Sequence, residues 1–170
     1  LMSFEGLTAY APIAHKIITG ESLNIGNKTS AIVTILDDNG KKVLADKDNG
    51  MVVPRGSVAV IDMIGPVIKY GDFCTYGADE IVNALRLADA NPNIIGSVLN
   101  VDGPGGAISA IGPFMDFGAK KKKPVVGLAD QACSLHYWAL CAATDYKMTD
   151  NNVSAQFGSV GVVSSFADNR

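Results

Sequence analysis

The chain is poor in charge, in cysteine and in long apolar runs, and each shortage narrows what it can be. Only 18% of its 170 residues are charged, against about 25% in an average globular protein. The net charge of −3 has the wrong sign for a nucleic-acid binder that neutralises phosphates. No basic stripe with interleaved aromatics is present either, so nucleic acid is not an expected partner. The one charge run, Lys120 to Lys123, reads as a solvated helix end, where cations suit the C-terminal dipole. The best apolar run, "SVAVIDMIGPVI", is interrupted by Asp62 and falls short of the ~20 residues that cross a bilayer. No positive segment leads into a long apolar one at the N-terminus, so neither a membrane span nor a signal peptide is expected. Three cysteines, Cys74, Cys133 and Cys141, form an odd set without metal spacing. They are expected as small core residues in a reducing compartment, not as a disulfide framework. Phosphate-loop and HExxH motifs are missing, and no metal or other cofactor is expected.

What remains is apolar and periodic. The hydrophobic fraction is 48%, and a chain this long can form one compact domain burying roughly 70% of its unfolded surface. Some apolar surface is left for subunit contacts. The first fifty-five residues read as an extension. "LTAYAPIAHKIITG" suits a short helix around Pro12 that ends at Gly20. "SAIVTILDDNGKKVLAD" suits a hairpin, with Asn39-Gly40 in a type I′ turn. Residues 56–170 form the core, where apolar strands alternate with helices as in a sheet covered on its faces.

Within the core, "SVAVIDMIG" predicts a strand, followed by a connection through Gly71 and Gly77. "ADEIVNALRLADANP" predicts a helix with Ala78, Ile81, Val82, Leu85 and Ala88 on one face, Asp79 and Glu80 in its first turn and Pro92 past its end. "NIIGSVLNV" is a second strand that runs into "DGPGGAISAIG". A third strand, "PVVGLAD", leads to a helix with Leu135, Trp138, Ala139 and Ala142 as its apolar face. Two short strands, "YKMT" and "SVGVVSSF", close the pattern. The fold class is therefore α/β, a repeated strand, helix, strand unit with mostly parallel pairing and right-handed crossovers.

Two strand ends carry the chemistry. In a parallel sheet, "DGPGG" and "ACSL" lie on the same carboxyl edge, where α/β proteins place their ligands. Pro104 stiffens the first loop, and Gly105 and Gly106 let backbone N–H groups approach a ligand closely. Ser134 at a helix start adds a hydroxyl beside unsatisfied first-turn donors. These are the parts of acyl transfer, a nucleophile and donors for an oxyanion, yet an ordinary N-cap serine fits the position as well. The base stays open. His136 is two residues past Ser134, a helical spacing that turns the side chains apart; His15 has no spacing argument; Lys69 and Lys147 are cations that burial could neutralise.

In combination, "VDGPGG", "ACSLHYWALCAATD" and "FGSVGVV" resemble the signal-peptide-peptidase family of serine proteases, in the Clp-protease and crotonase superfamily, and most of all its tailed-phage protein C branch, which processes head proteins during capsid assembly. The family pattern is S-P-G-G after a strand, then A-S-x-x-Y-W or A-S-G-G-Y, an Ala-rich helix ending in Asp, and G-S-I-G-V or G-S-V-G-V. The ordered match runs from about Ser57 to Phe166.

The resemblance implies a Clp-protease/crotonase-like fold of repeated ββα units. It implies Ser134 as nucleophile and the N–H groups of Gly105 and Leu135 as the oxyanion hole. Pro104 and Gly106 would shape the loop, and Gly158 and Ser159 would lie near the substrate strand. The family's base is a neutral lysine roughly fifty residues beyond the serine, its pKa lowered by burial. This sequence stops at Arg170, before that point. A fragment is the favoured explanation; a base from elsewhere or another subunit, and a domain that has lost catalysis, are the others. The 170 residues alone are expected to show little or no peptidase activity.

The sequence departs from the pattern in other places. Gly103 stands where the first serine is usual, Leu135-His136 replaces a small pair, and the helix to Asp145 has one extra residue. Leu135 is expected to narrow the cleft, and Pro113 to kink or split the helix after the glycine loop.

The implied function is a serine endopeptidase acting on extended peptide or unfolded protein segments, as a phage or prophage head-maturation protease cutting scaffold or head proteins. The lack of a membrane segment and the Tyr137-Trp138 pair favour this over a bacterial signal peptide peptidase. The expected setting is a homo-oligomer in the bacterial cytoplasm, associated with phage proheads. The alternatives are a non-catalytic capsid-assembly module of the same fold and a crotonase-type acyl-CoA enzyme, which needs no serine nucleophile.

Overall fold

The computed structural model describes residues 18–19, 32–44, 52–71, 75–149 and 155–158. Among them an α/β architecture is built on one mixed sheet of six strands with three α-helices. The elements are β1 (Val33–Leu36), β2 (Ser57–Ile64), α1 (Ala78–Ala90), β3 (Ile94–Gly103), α2 (Ile111–Lys120), β4 (Val125–Cys133), α3 (Leu135–Ala143), β5 (Tyr146–Thr149) and β6 (Gln156–Gly158). The predicted N-terminal helix lies outside the described residues except for Ile18 and Thr19, which are helical, and "SVGVVSSF" lies outside entirely.

The sheet order is β1-β2-β3-β4-β5, with β6 also pairing β4. All pairs are parallel except β1 with β2. Strands β2 to β5 thus follow one another in sequence, and crossovers of the usual right hand carry every connecting helix to the same face. Burial agrees. Ala59, Ile61 and Met63 of β2, Leu99 and Val101 of β3, and Ala129 of β4 are sealed, while their alternate neighbours Val60, Asp62, Val98, Asn100 and Leu128 are only half-buried. The sequence predicts a sheet covered on both faces; the described helices cover one. The core lies between that face and the apolar stripes of α1 (Ile81, Val82, Leu85), α2 (Ile111, Phe114, Phe117) and α3 (Leu135, Ala139, Leu140).

Helix α1 buries the whole face read from its spacing, and Glu80 in its first turn accepts the Gly77 N–H at 3.0 Å. Helix α2 is preceded by a 3₁₀ turn, Ile108–Ala110. The split follows from Pro113, whose ring would collide with the Ser109 carbonyl in a continuous helix; starting at Ile111 puts the proline in the first turn, where a missing N–H costs nothing.

Helix α3 differs from expectation. It buries Leu135, His136, Ala139, Leu140 and Ala143, whereas Trp138 is 48% exposed. The turn before it rotates the helix so that His136 faces the strand ends and Tyr137, Trp138 and Cys141 face outward. Cys141 is accordingly exposed and Cys133 half-buried, so neither is the core residue expected; Cys74 lies outside the described residues.

The Asn39-Gly40 turn is also of another kind. Gly40 has φ 76° but Asn39 does not have positive φ, and the Gly40 N–H donates to the Asp37 carbonyl at 3.0 Å. That is a type I turn closed by a left-handed glycine, not type I′. Its carboxylate explains the choice, since Asp37 Oδ1 accepts the N–H groups of Asn39 and Lys41 and stabilises the type I form. The first arm is β1, which joins the core sheet through β2.

The lysine run is more than a solvated helix end. Lys120 does end α2, pairing with Asp116 at the surface. Lys121, only 12% exposed, donates to both carboxylate oxygens of Asp145, which also accepts the Val125 N–H. That ammonium, with the Val125 N–H, holds the Asp145 carboxyl below the usual carboxylate range. The backbone N–H groups of Lys122 and Lys123 donate to Asp89 Oδ1 at 3.0 and 2.8 Å, and Lys123 Nζ reaches the Ala88 and Asn91 carbonyls at the end of α1. The run therefore ties α1, α2 and the start of β4 together. No helix among the described residues is long and apolar enough to cross a membrane.

Asp89→Ala is expected to lower stability by about 1–2 kcal/mol in urea melts, because two backbone donors lose a charged acceptor. Lys120→Ala, which removes a surface pair, is expected to stay within about 0.5 kcal/mol. Equal effects of the two substitutions would contradict the tie.

Candidate active site

The carboxyl ends of β2, β3 and β4 meet at one edge of the sheet, and Ser134 sits at the last of them. Its backbone has φ 53° and ψ −117°, and it is the only non-glycine among the described residues with positive φ. Such a conformation costs of order 1–3 kcal/mol and persists only where neighbours impose it. Two hydrogen bonds do so here. The Ser134 N–H donates to the Gly158 carbonyl on β6 at 2.8 Å, and the Ser134 carbonyl accepts the Trp138 N–H at 3.1 Å, beginning α3.

This geometry answers the question of the ordinary N-cap. A capping serine keeps extended backbone angles and turns its oxygen onto the N–H of the second or third helical residue. Ser134 has neither feature: its angles lie far from that region, and its side chain makes no capping bond. A sharp strand-to-helix turn with a strained serine at its apex is instead the shape that lifts a nucleophilic hydroxyl above a sheet edge.

Facing it is the glycine bend. Gly105 has φ 119°, and a methyl placed on it would lie 2.8 Å from Ser134 Cβ and 3.3 Å from Ser134 Oγ. Both the backbone angle and the lack of room demand glycine. The bend is anchored on its far side by Val67, whose N–H donates to the Gly105 carbonyl at 3.2 Å and whose carbonyl accepts the Ala107 N–H at 2.9 Å. Because the Gly105 carbonyl points at Val67, the Gly106 N–H, on the other side of the same planar trans peptide, points away from β2 toward the β4 side that carries Ser134. Gly106 has no space for a Cβ, which would run into the Val67 carbonyl. Pro104, just before the bend, is half-buried.

The site residues expected from sequence fall into place unevenly. Ser134, Gly105 and Leu135 come together, and Gly158 sits across from Ser134 with its carbonyl on the serine's own N–H. Ser159 lies outside the described residues. Leu135 does not narrow the cleft: it is 3% exposed, with Cδ2 3.0 Å from the place a Gly106 Cβ would take, so it supports the bend from beneath. Its N–H is one of the first-turn donors that a helix leaves unsatisfied, at the positive end of the α3 dipole.

Sequence reading missed Gly65 and Val67, which follow β2 and bond to the backbone at Asp102 and at the bend respectively; the Gly-Pro pair at 65–66 was the available signal. The residues themselves offered the N–H groups of both glycines and the resemblance gave Gly106 a shaping role; the direction of the 105–106 peptide favours a donor at Gly106.

Of the candidate bases, Lys147 is opposite Gly127 on β4, seven residues before Ser134, or roughly 20 Å away at a strand's rise. His136 is fully buried, and neither ring nitrogen has a hydrogen-bond partner. Burial, opposed in part by the Gly65 carbonyl, pushes its pKa down from 6.5 to about 4. That carbonyl is close but misses hydrogen-bond geometry, so it acts as a neighbouring dipole. So weak a base, bonded to nothing, does not take a serine proton near neutral pH. Lys69 stacks its ammonium over the Tyr70 ring at 5.0 Å, and His15 lies outside the described residues.

The His136 shift sets a pH dependence of stability. The unfolded chain takes up the imidazole proton near the ordinary 6.5 and the native chain only near 4, so stability is complete above the upper value and is lost as pH falls through the window. The loss is on the order of 3 kcal/mol by linkage. Urea midpoints recorded from pH 7 to pH 4 are expected to fall accordingly, and to fall less in His136→Leu; an unchanged slope in that variant would contradict the assignment.

Compared with known families and characterised proteins, the chain matches no family model, and no characterised protein is significantly similar to it.

Proposed function

We propose that this chain is the nucleophile-bearing part of a serine endopeptidase of the signal-peptide-peptidase kind, with the Clp-protease/crotonase-like fold and a Ser/Lys mechanism. The observation that carries the reading is Ser134 itself, a serine held at φ 53° on a strand-to-helix turn against a glycine that no other residue could replace. The acyl-CoA alternative leaves that strain without a purpose, since enzymes of that kind need only the paired N–H groups.

In the proposed reaction the Ser134 hydroxyl adds to the scissile carbonyl carbon while its proton passes to the lysine amine. The carbonyl oxygen becomes an oxyanion and accepts hydrogen bonds from the Leu135 N–H and from the glycine bend, through Gly105 by the resemblance and through Gly106 by the direction of its peptide. Collapse expels the amine, which takes the proton from the lysine. Water then hydrolyses the serine ester by the same steps. Substrate is an extended peptide segment bound by its backbone, in the setting of phage head maturation in the cytoplasm of a bacterial host.

Oligomerisation is part of the proposal on a separate observation. All four residues of β5 are exposed, with Tyr146 67% and Met148 59% accessible; a strand with two uncovered apolar side chains favours contact with further copies. This same surface is what a non-catalytic assembly module would use.

The test needs no base on the protein. At pH 9 a fluorophosphonate is expected to form a slow adduct on Ser134, located by peptide mass spectrometry, and none on Ser134→Ala. Gly105→Ala is expected to lower the rate at least tenfold, the scale on which oxyanion donors act. An adduct on another serine, or equal rates with Gly105→Ala, would favour the assembly module.

A further inference from the structure

Beneath the glycine bend lies a group that the hydrolytic reading does not use. His136 is fully buried with both Nδ1 and Nε2 unpartnered. Buried polar groups are almost always paired, so an exception calls for a reason. The surroundings of the ring are specific. Nε2 occupies the space that a side chain on Gly103 would fill, and the Gly65 carbonyl oxygen borders the same space. Gly103 ends β3, and Gly65 follows the last residue of β2. The backbones that leave these two strand ends are joined a few residues later by the bonds of Val67 to Gly105 and Ala107. The imidazole therefore sits as a wedge under the anchored bend.

The sequence carries the same pairing. Gly103 stands where the resembled pattern has serine, and His136 stands where it has a small residue; these two departures touch in space. Glycine at 103 leaves the room that the imidazole fills.

Among the described residues no charged group acts on the ring, whose surroundings are burial and the Gly65 carbonyl. On β2 and β3 the nearest ionisable residues, Asp62 and Asp102, take the alternate register positions on the opposite sheet face, as Asp130 does on β4. On α3 itself the titratable neighbours are Tyr137 and Cys141, both exposed. Among the described residues a second N–H on the ring would find no carboxylate, and the ring is sealed from solvent.

We propose that His136 is a positioning residue of this site: as a neutral wedge between the ends of β2 and β3 it sets where the Gly105–Gly106 backbone stands relative to Ser134, and protonation of the ring forces that backbone out of place. The consequence for catalysis rests on the serine-hydrolase reading; the wedge itself rests on the packing alone.

Two measurements test it on the folded chain. In ¹⁵N-labelled protein, the amide shifts of Gly105 and Gly106 are expected to move between pH 7.5 and pH 3 with the same midpoint as the His136 ring, and to stay flat in His136→Leu. Bend amides that ignore a titrating ring would overturn the proposal. In the second, Gly103→Ala is expected to slow phosphonate addition to Ser134 at least tenfold, and Gly103→Ala with His136→Ala to recover most of that loss. Additive losses would also overturn it. If Ser134 takes no phosphonate in any variant, the hydrolase reading fails while the amide titration and the non-additivity of the two substitutions in urea melts still judge the wedge.

Discussion

The strained backbone of Ser134 is the constraint to which the surrounding strand ends are fitted. Left to itself, a serine at φ 53° and ψ −117° would relax to an extended or helical conformation. It is kept there because its N–H is fixed by Gly158 and its carbonyl is committed to the first turn of α3. The approach of Gly105 to its side chain then follows, since the same turn directs the Cβ toward the end of β3. A local cost of a few kcal/mol is offset by the packing of a sheet whose central strands are sealed on one face.

Topology explains why these pieces meet. Four consecutive parallel strands in sequential order put every carboxyl end on one edge, and the helices between them on one side. The helix connections must therefore be tied at the opposite edge, and the lysine run does this work with Asp89 and Asp145. The acidic partners come from the end of α1 and the residue before β5, so each tie spans two elements. One edge of the sheet is thus fixed by charge and the other by glycine backbone.

Much of this was legible in the sequence because it depends on short-range periodicity. The face of α1 and the positions of β2 to β5 follow from apolar spacing, and the pairing of "DGPGG" with "ACSL" follows from their places after parallel strands. What could not be read is whatever depends on a distant partner. The rotation of α3, which buries His136 and exposes Trp138, is decided by the turn at Ser134, and hydrophobicity ranks the two residues the other way. The direction of Leu135 is fixed by the bend above it. The type of turn at Asn39-Gly40 is set by the Asp37 carboxylate, which overrides the preference of that dipeptide. The strain at Ser134 needs β6, a strand of three residues that periodicity does not signal.

The most direct measurement is a crystal structure of the chain with a phosphonate or boronate bound covalently to Ser134. The account predicts an adduct oxygen within about 2.7–3.1 Å of the Leu135 nitrogen and of a nitrogen in the Gly105–Gly106 bend, with Ser134 still at positive φ. An adduct oxygen turned into solvent, or a serine relaxed to an ordinary helix cap, would contradict it.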